Sequence, residues 1–590
     1  MNELATVNKY LWKYRVTLFL GLLFTFASNY LGSLAPEVVS EAIDFAQEKE
    51  TVQFVGLLDS TTDVRTGVFR AAVLILGLAL ASGFFLFLMR KTIIVASHKI
   101  VADLRTDLYN HYQHLDQTFY KRNSTGDMMS RLTEDISNVR MYVGPAFMYF
   151  LNTIAMFGFY LYRMLKADMS LTFWTLLPLP FLSVSIYIVS SIIFKKTNAI
   201  QTKLSALTTF TQEAFSGIRV IKSYAREKSF QQQFDDETDD YKTQALSLAR
   251  VEAIFFPLML LLIGTSTIIA VYVGGLHVQE GLIGNGTIVQ FIIYVGKLTW
   301  PVTSLGWIAS IVQKAAASQK RINEYLDVDS VLHEPNQPAE WNSGDQSIEF
   351  TNVSFTYPDT GVKALQKVSF SINSGERVAV IGKTGSGKTT LADLLLRVFD
   401  PNSGEIKVGG QHIEEFSLQQ LRQKIGYVPQ DVFLFSDTIE NNIAMAKKHA
   451  SADEIRAAAE VAVVKRDIDR LPKQFKTIVG ERGVMLSGGQ KQRVSIARAI
   501  IHEPDYLILD DALSAVDAET EQEILLQFND LFENKTVLVI THRIFTLFDV
   551  DRILVLDQGK LVQEGKHEEL VNQDGIYKEL YEIQQEETKN

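Results

Sequence analysis

The sequence contains no cysteine. Disulfides and thiolate metal sites are therefore excluded, and the chain suits a reducing interior. It also lacks any excess of positive charge. The formal charge is −11, which argues against non-specific binding to nucleic acid. No cleavable signal peptide is expected, because Leu11-Trp12-Lys13-Tyr14-Arg15 leads into a full-length apolar span without an obvious cleavage site. What is abundant is apolar sequence, and it is unevenly placed. Long hydrophobic runs fill roughly the first 320 residues, and ordinary soluble patterning follows. At 590 residues the chain is too long for one core and should divide into two or more units.

Six apolar stretches approach the roughly 20 residues needed to cross a bilayer. They fall near 16–39, 68–94, 144–166, 171–196, 251–276 and 285–313. Residues 1–15 suit an amphipathic interfacial helix leading into the first span. Basic residues set the orientation. Arg90 and Lys91 close the second span, Lys195 and Lys196 close the fourth, and long polar segments near 92–143 and 197–250 follow them. The loop near 46–67, with Glu48, Lys49, Glu50, Asp59 and Asp63, has less positive bias. Both termini and both long segments are therefore expected in the cytoplasm, and Arg163 and Lys166 in an outer loop dissent mildly. Each long segment has helical periodicity and extends a pair of membrane helices inward, broken at Phe119–Asp127 and again around Glu213–Ile218. Turns at these places can dock on a cytoplasmic domain. Lys297 sits about ten residues, roughly 15 Å, inside the sixth span. It either lines a cavity and meets an anionic substrate group, or it snorkels or pairs with another polar residue. Pro301 nearby marks a bend. Asn29 and Glu37 are further polar candidates in the first span.

A linker over 329–345, with Pro335, Pro338 and Asn342-Ser343-Gly344, separates this half from the second. The second half is organised around Gly382-Lys383-Thr384-Gly385-Ser386-Gly387-Lys388-Thr389, which reads G-x-x-x-x-G-K-S/T. Arg377-Val378-Ala379-Val380-Ile381 before it suits a buried parallel strand, and Thr390–Val398 after it reads as a helix. That context makes it a phosphate-binding P-loop. Backbone N–H groups close around the phosphates, and the helix N-terminus adds partial positive charge. Lys388 should reach the terminal phosphates and the Thr389 hydroxyl should ligate Mg²⁺. Asp505-Tyr506-Leu507-Ile508-Leu509-Asp510 is a second nucleotide element, an apolar strand ending in a carboxylate suited to hold that Mg²⁺. A further strand, Val537–Ile540, ends at Thr541-His542-Arg543, so His542 is expected at the carboxyl edge of the sheet, against the γ-phosphate. Leu486-Ser487-Gly488-Gly489-Gln490 opens another helix and forms a second anion site. One nucleotide does not need two such sites in one domain, so the second completes a site on a partner. A dimer is implied.

With these motifs in this order, the whole chain resembles an ATP-binding cassette (ABC) exporter half-transporter. The resemblance implies a six-helix transmembrane domain (1–328) with two coupling loops, the linker, and an α/β nucleotide-binding domain with a helical subdomain (346–590). It implies ATP and Mg²⁺ as cofactors. Tyr357 and Thr390 take ATP-binding positions, with Tyr357 stacking on adenine, and Gln430 links Mg²⁺ and the attacking water to the membrane domain. Leu486 to Gln490 match the signature, Asp510 the Walker B aspartate, Ser514 to Asp517 the D-loop and His542 the switch histidine. Thr477 to Gly483 look like the exporter loop that contacts the coupling helices, which the turns near 119–127 and 209–217 resemble. One position departs from the pattern. The general base after Asp510 is usually glutamate, and here it is Asp511, shorter by one methylene. That combination, an intact signature beside aspartate, resembles the degenerate half of a heterodimeric exporter; a homodimer with two slow sites is the alternative. The implied activity is ATP hydrolysis coupled to export of amphipathic compounds, drugs or lipids, with membrane lipid and a second half-transporter as partners. An ATP-gated channel or regulatory membrane ATPase uses the same parts. The absence of organelle targeting signals and of an N-terminal peptidase domain places the expectation at a bacterial inner membrane.

Overall fold

Apolar spans that continue into polar stretches of the same helical periodicity become very long helices. In the computed structural model, which describes residues 2–48, 63–341, 344–531, 533–544 and 550–589, the helices Val64–His114 and Glu227–Gln279 run for 51 and 53 residues. At 1.5 Å per residue each reaches about 80 Å, against a hydrocarbon core of about 30 Å. Their surplus lies within the polar segments expected at 92–143 and 197–250. The chain divides into two units, Met1–Gln113 with Gly126–Val328 and His114–Thr125 with Asp329–Asn590.

The first unit is helical. Among the described residues five helices are long and apolar enough to span a membrane: Arg15–Gln47, Val64–His114, Thr125–Ala167, Glu227–Gln279 and Asn285–Leu326. The stretch expected at 171–196 falls on the helices Met169–Leu176 and Pro178–Ser216. The less basic loop lies outside the described residues over 49–62. Buried polar pairs tie the helices together. Asn29 donates to Asn152 at 2.9 Å, and Arg163 is paired with Glu37, both largely buried. Lys166 lies 3.7 Å from the same carboxylate. The two basic residues that dissented from the charge bias are thus partners of an acidic one on a neighbouring helix. Residues 2–13 form a 3₁₀ turn and a short helix with Val7 and Tyr10 buried. Tyr10 donates to Asp107 at 2.6 Å, and Lys13 to Asp103 at 2.7 Å.

Among the described residues the second unit holds ten strands: β1 Ile348–Thr356, β2 Lys363–Ile372, β3 Arg377–Gly382, β4 Ser403–Val408, β5 Gln411–His412, β6 Ile425–Val428, β7 Tyr506–Asp510, β8 Thr536–Ile540, β9 Arg552–Asp557 and β10 Lys560–Gly565. They make an antiparallel sheet, β2-β1-β4-β5, and a six-stranded sheet, β10-β9-β3-β8-β7-β6. In the latter only β10 runs antiparallel to its neighbour. β7 and β8 are buried along their whole length, which is why their sequences are apolar runs and not alternations. One boundary differs from the expected division. Residues 114–125 pack with this unit and not with the helices on either side of them. Asp116 caps the helix Gln117–Arg122, accepting from Phe119 N at 3.2 Å, and its other oxygen accepts from Val331 N at 2.7 Å. The linker is packed too. Trp341 lies 4.8 Å from the Phe416 ring and donates to Asp505 at 3.3 Å.

Candidate nucleotide site

β3 carries the P-loop from the middle of the six-stranded sheet. It ends at Gly382, the loop turns through Lys383–Gly387, and the helix Lys388–Leu395 follows. Gly387 has φ +100°, and a Cβ there would come within 2.3 Å of the Ala364 carbonyl. Only glycine fits that position. Lys388 Nζ donates to the loop carbonyls of Gly382 and Lys383 at 2.8 and 3.0 Å. Burial pushes its pKa down, while Asp510 and Asp511 pull it back up.

Sheet register assembles the acidic side of the site. Asp510 closes β7 opposite Ile540 of β8. Asp511 and His542 lie one and two residues beyond that pair, and His542 Nδ1 meets Asp511 Oδ1 at 3.1 Å. Asp511 is buried at 9% exposure, with φ +51° and its N–H donated to Ile540 at 2.8 Å. A non-glycine in the left-handed region beside a reacting centre is the kind of local strain found at functional sites. Asp510 is buried deeper. Burial pushes its pKa up to about 6, the Thr389 hydroxyl lowers it, and Asp511 and Asp393 add repulsion. Asp510 Oδ2 and Ser386 Oγ are buried without a hydrogen-bond partner among the described residues. A divalent cation between Asp510 and Thr389 would answer that orphaned oxygen, so the residues fit Mg²⁺. Gln430 stands exposed two residues beyond β6, whose Val428 is level with Leu509 of β7, at the same carboxyl edge.

Tyr357 is half-buried between Phe355 and Phe399, at ring distances of 5.0 and 5.7 Å. Its hydroxyl lies 3.0 Å from that of Thr390 and donates to Asp393 at 3.3 Å. Lys383, Thr384 and Gly385 are exposed on the loop.

The signature is built from a capping box. Ser487 Oγ accepts from Gln490 N at 3.3 Å, and Gln490 Oε1 accepts from Ser487 N at 3.0 Å. This starts the helix Gly488–Ile500 with Ser487, Gly488 and Gly489 at its N-terminus. The helix belongs to a different core from the P-loop helix: Val494, Ile496 and Ala497 lie in one cluster, and Leu391, Leu394 and Leu395 in the other. The fold therefore does not gather the two anion-ready helix ends on one core. Two residues that sequence reasoning passed over hold the D-loop. Gln492 donates to Ser514 Oγ at 3.0 Å and accepts from Ala515 N at 3.0 Å. Arg543 donates to the Ser514 carbonyl at 2.8 Å. The available signal was a polar amide on the buried side of an amphipathic helix. Asp517 remains exposed and caps the next helix through Thr520 N at 3.0 Å. Lys297 is exposed on the helix Asn285–Leu326, and no ion pair reaches it among the described residues.

A long-helix membrane domain carried on one chain with a P-loop domain of this kind defines an ATP-driven membrane transporter. The chain belongs to the ABC transporter family. The family's transmembrane region matches residues 18–302 and its ATP-binding region, described as ABC transporter, matches 365–514. It is 35% identical to a probable multidrug resistance ABC transporter ATP-binding/permease protein, YheI, of Bacillus subtilis, over 96% of this chain and 95% of that one. It is also 35% identical to an ATP-dependent lipid A-core flippase of Haemophilus ducreyi, over 87% and 88%. The solved structure of a bacterial Atm1-family ABC exporter with ATP bound superposes with TM-score 0.77 at 26% identity, covering 97% of this chain and 98% of that one. The protein is an ATP-hydrolysing ABC exporter, multi-pass in the membrane with a cytoplasmic nucleotide-binding domain.

Proposed function

We propose that this chain is the degenerate-site half of a heterodimeric exporter in a bacterial inner membrane, moving amphipathic drugs or lipids outward. One observation carries the reading: the signature is intact in its capping box while the base position holds Asp511. The names of the relatives, multidrug resistance proteins and lipid A-core flippases, support the substrate class. In each half, ATP lies between one chain's P-loop and the other's signature, so binding draws the cassettes together and the arms pass the movement to the membrane helices. Thr389 and Asp510, with Gln430 at the same sheet edge, would hold Mg²⁺, which would supply charge neutralisation for the transferring phosphoryl group. Lys388 binds the terminal phosphates. His542 positions Asp511, and a carboxylate drawn back by one methylene holds the attacking water poorly, a misplacement worth on the order of 10²-fold. Exposed apolar side chains at the second arm's turn, Phe215, Val220 and Tyr224, and on the cassette, Phe433, Phe435 and Met445, suit docking between chains.

The Asp511–His542 contact favours a second reading, a homodimer whose two sites are slow. ATP turnover of this chain purified alone in lipid nanodiscs, beside Asp511→Glu, separates them. Negligible turnover, raised only by co-expression of a partner carrying glutamate, is expected. Brisk vanadate-sensitive turnover from the unmodified chain sinks the heterodimer. Vectorial transport in vesicles distinguishes an exporter from an ATP-gated channel.

A further inference from the structure

The short helix Gln117–Arg122 reaches the aromatic loop of the nucleotide-binding unit with two consecutive side chains. Lys121 Nζ lies over the Tyr357 ring, 4.3 Å from its centre, and 4.9 Å from the centre of Phe399. Arg122 donates to the carbonyl of Pro358, the next residue, at 2.8 Å. The Tyr357 ring is not free to turn away. Its hydroxyl is tied to Thr390 and Asp393, and Phe355 and Phe399 meet it at 81° and 89°. With its hydroxyl end tied, the ring offers a base only its faces, and Lys121 holds one. The ammonium also faces the Asp393 carboxyl, whose pKa burial pushes up and Lys121 draws down.

We infer that Lys121 and the adenine of ATP are alternative occupants of the Tyr357 ring, so that nucleotide binding releases residues 114–125 from the aromatic loop. The inference rests on Tyr357 being the adenine platform. Lys121 is exposed, so its hold on the ring is the weak, solvated kind of cation–π contact, and base–aromatic stacking is the stronger of the two. Adenine wins, but against a competitor already in place. The displaced segment joins the helices Val64–His114 and Thr125–Ala167, so its release is felt by the chain that enters the membrane. Lys121 is a positioning residue: it makes nucleotide occupancy of this half legible to the membrane helices.

Removing the competitor tightens ATP and leaves a ligand without a base unaffected. The full chain, Lys121→Met, Lys121→Gln and Lys121→Arg are titrated calorimetrically with ATP and with inorganic tripolyphosphate in EDTA. The Met and Gln variants should bind ATP about two- to five-fold more tightly, bind tripolyphosphate unchanged, and Lys121→Arg should resemble the parent. In a Tyr357→Leu background the Lys121→Met effect should vanish. Unchanged or weaker ATP binding overturns the inference, because the lysine then supports the platform or ignores it. A parallel change for both ligands also overturns it, since the lysine then acts on phosphates. If the parent chain binds tripolyphosphate and ATP equally well, the adenine platform itself fails.

Discussion

Asp510 carries a conflict that its neighbours only half resolve. It is buried at 2% exposure, its pKa is raised to about 6 by that burial and by Asp511 and Asp393, and one oxygen has no hydrogen-bond partner among the described residues. A carboxyl whose folded pKa lies above its usual value is stabilised by its proton, so its contribution to stability falls as pH rises from about 4 through about 6. Mg·ATP changes the balance, because the cation requires the ionised form. Below pH 6, binding must first expel a proton, and affinity should fall by about tenfold per pH unit. Calorimetry of Mg·ATP binding in buffers of different ionisation enthalpy should register proton release near pH 5.5 and almost none at pH 8. Asp510→Asn should abolish the pH dependence along with most of the Mg²⁺ requirement. A pH-independent affinity in the parent chain would show that Asp510 is not the metal's ligand.

At the scale of elements, the Glu37–Arg163 pair fastens the Arg15–Glu48 helix to Phe147–Ala167. Both groups are largely withdrawn from solvent, so removing Arg163 leaves Glu37 only the exposed Lys166 at 3.7 Å, at up to about 3–5 kcal/mol, whereas removing both is far milder. Arg163→Met should lower the melting temperature in detergent steeply, and Glu37→Gln with Arg163→Met should recover most of the loss. If the double variant is as unstable as the single one, the packing and not the charge matters there. This pair also shows what a single sequence hides. The P-loop, Asp510 and His542 were legible because strand, turn and helix occur consecutively and each residue type has one suitable chemistry. The long arms were legible from their periodicity. Glu37 and Arg163 are 126 residues apart, and no local pattern joins them, so Arg163 read as an exception to the charge bias. The docking of residues 114–125 was half legible. Asn123-Ser124-Thr125-Gly126 marked the break in the helix, but its partners Tyr357, Pro358 and Val331 lie more than two hundred residues on. Gln492 escaped for a third reason: its importance lies in the D-loop backbone it holds, and an amide in a helix announces nothing of that.

For the whole molecule, the proposed heterodimer predicts an asymmetry between chains. In it, this chain's P-loop site would include Asp511, while its signature would serve the site built on a partner's P-loop. Damage to the two should therefore have unequal effects in an assembled heterodimer. Gly488 has room for a side chain, its nearest neighbour being Ala515 Cβ at 3.4 Å, and an acidic residue at a helix N-terminus does not harm the helix. Gly488→Asp thus keeps the fold while turning an anion site into a repulsive one. With a partner carrying glutamate, it should lower phosphate release by on the order of 10²-fold or more, the scale seen when a charge-stabilising donor is lost, while ATP still binds this chain's own P-loop. Asp511→Ala in the same complex should cost no more than about twofold, because that site contributes little turnover to begin with. Equal losses from the two variants would mean that both sites work, and the molecule would then be functionally symmetric whatever the identity of its second half.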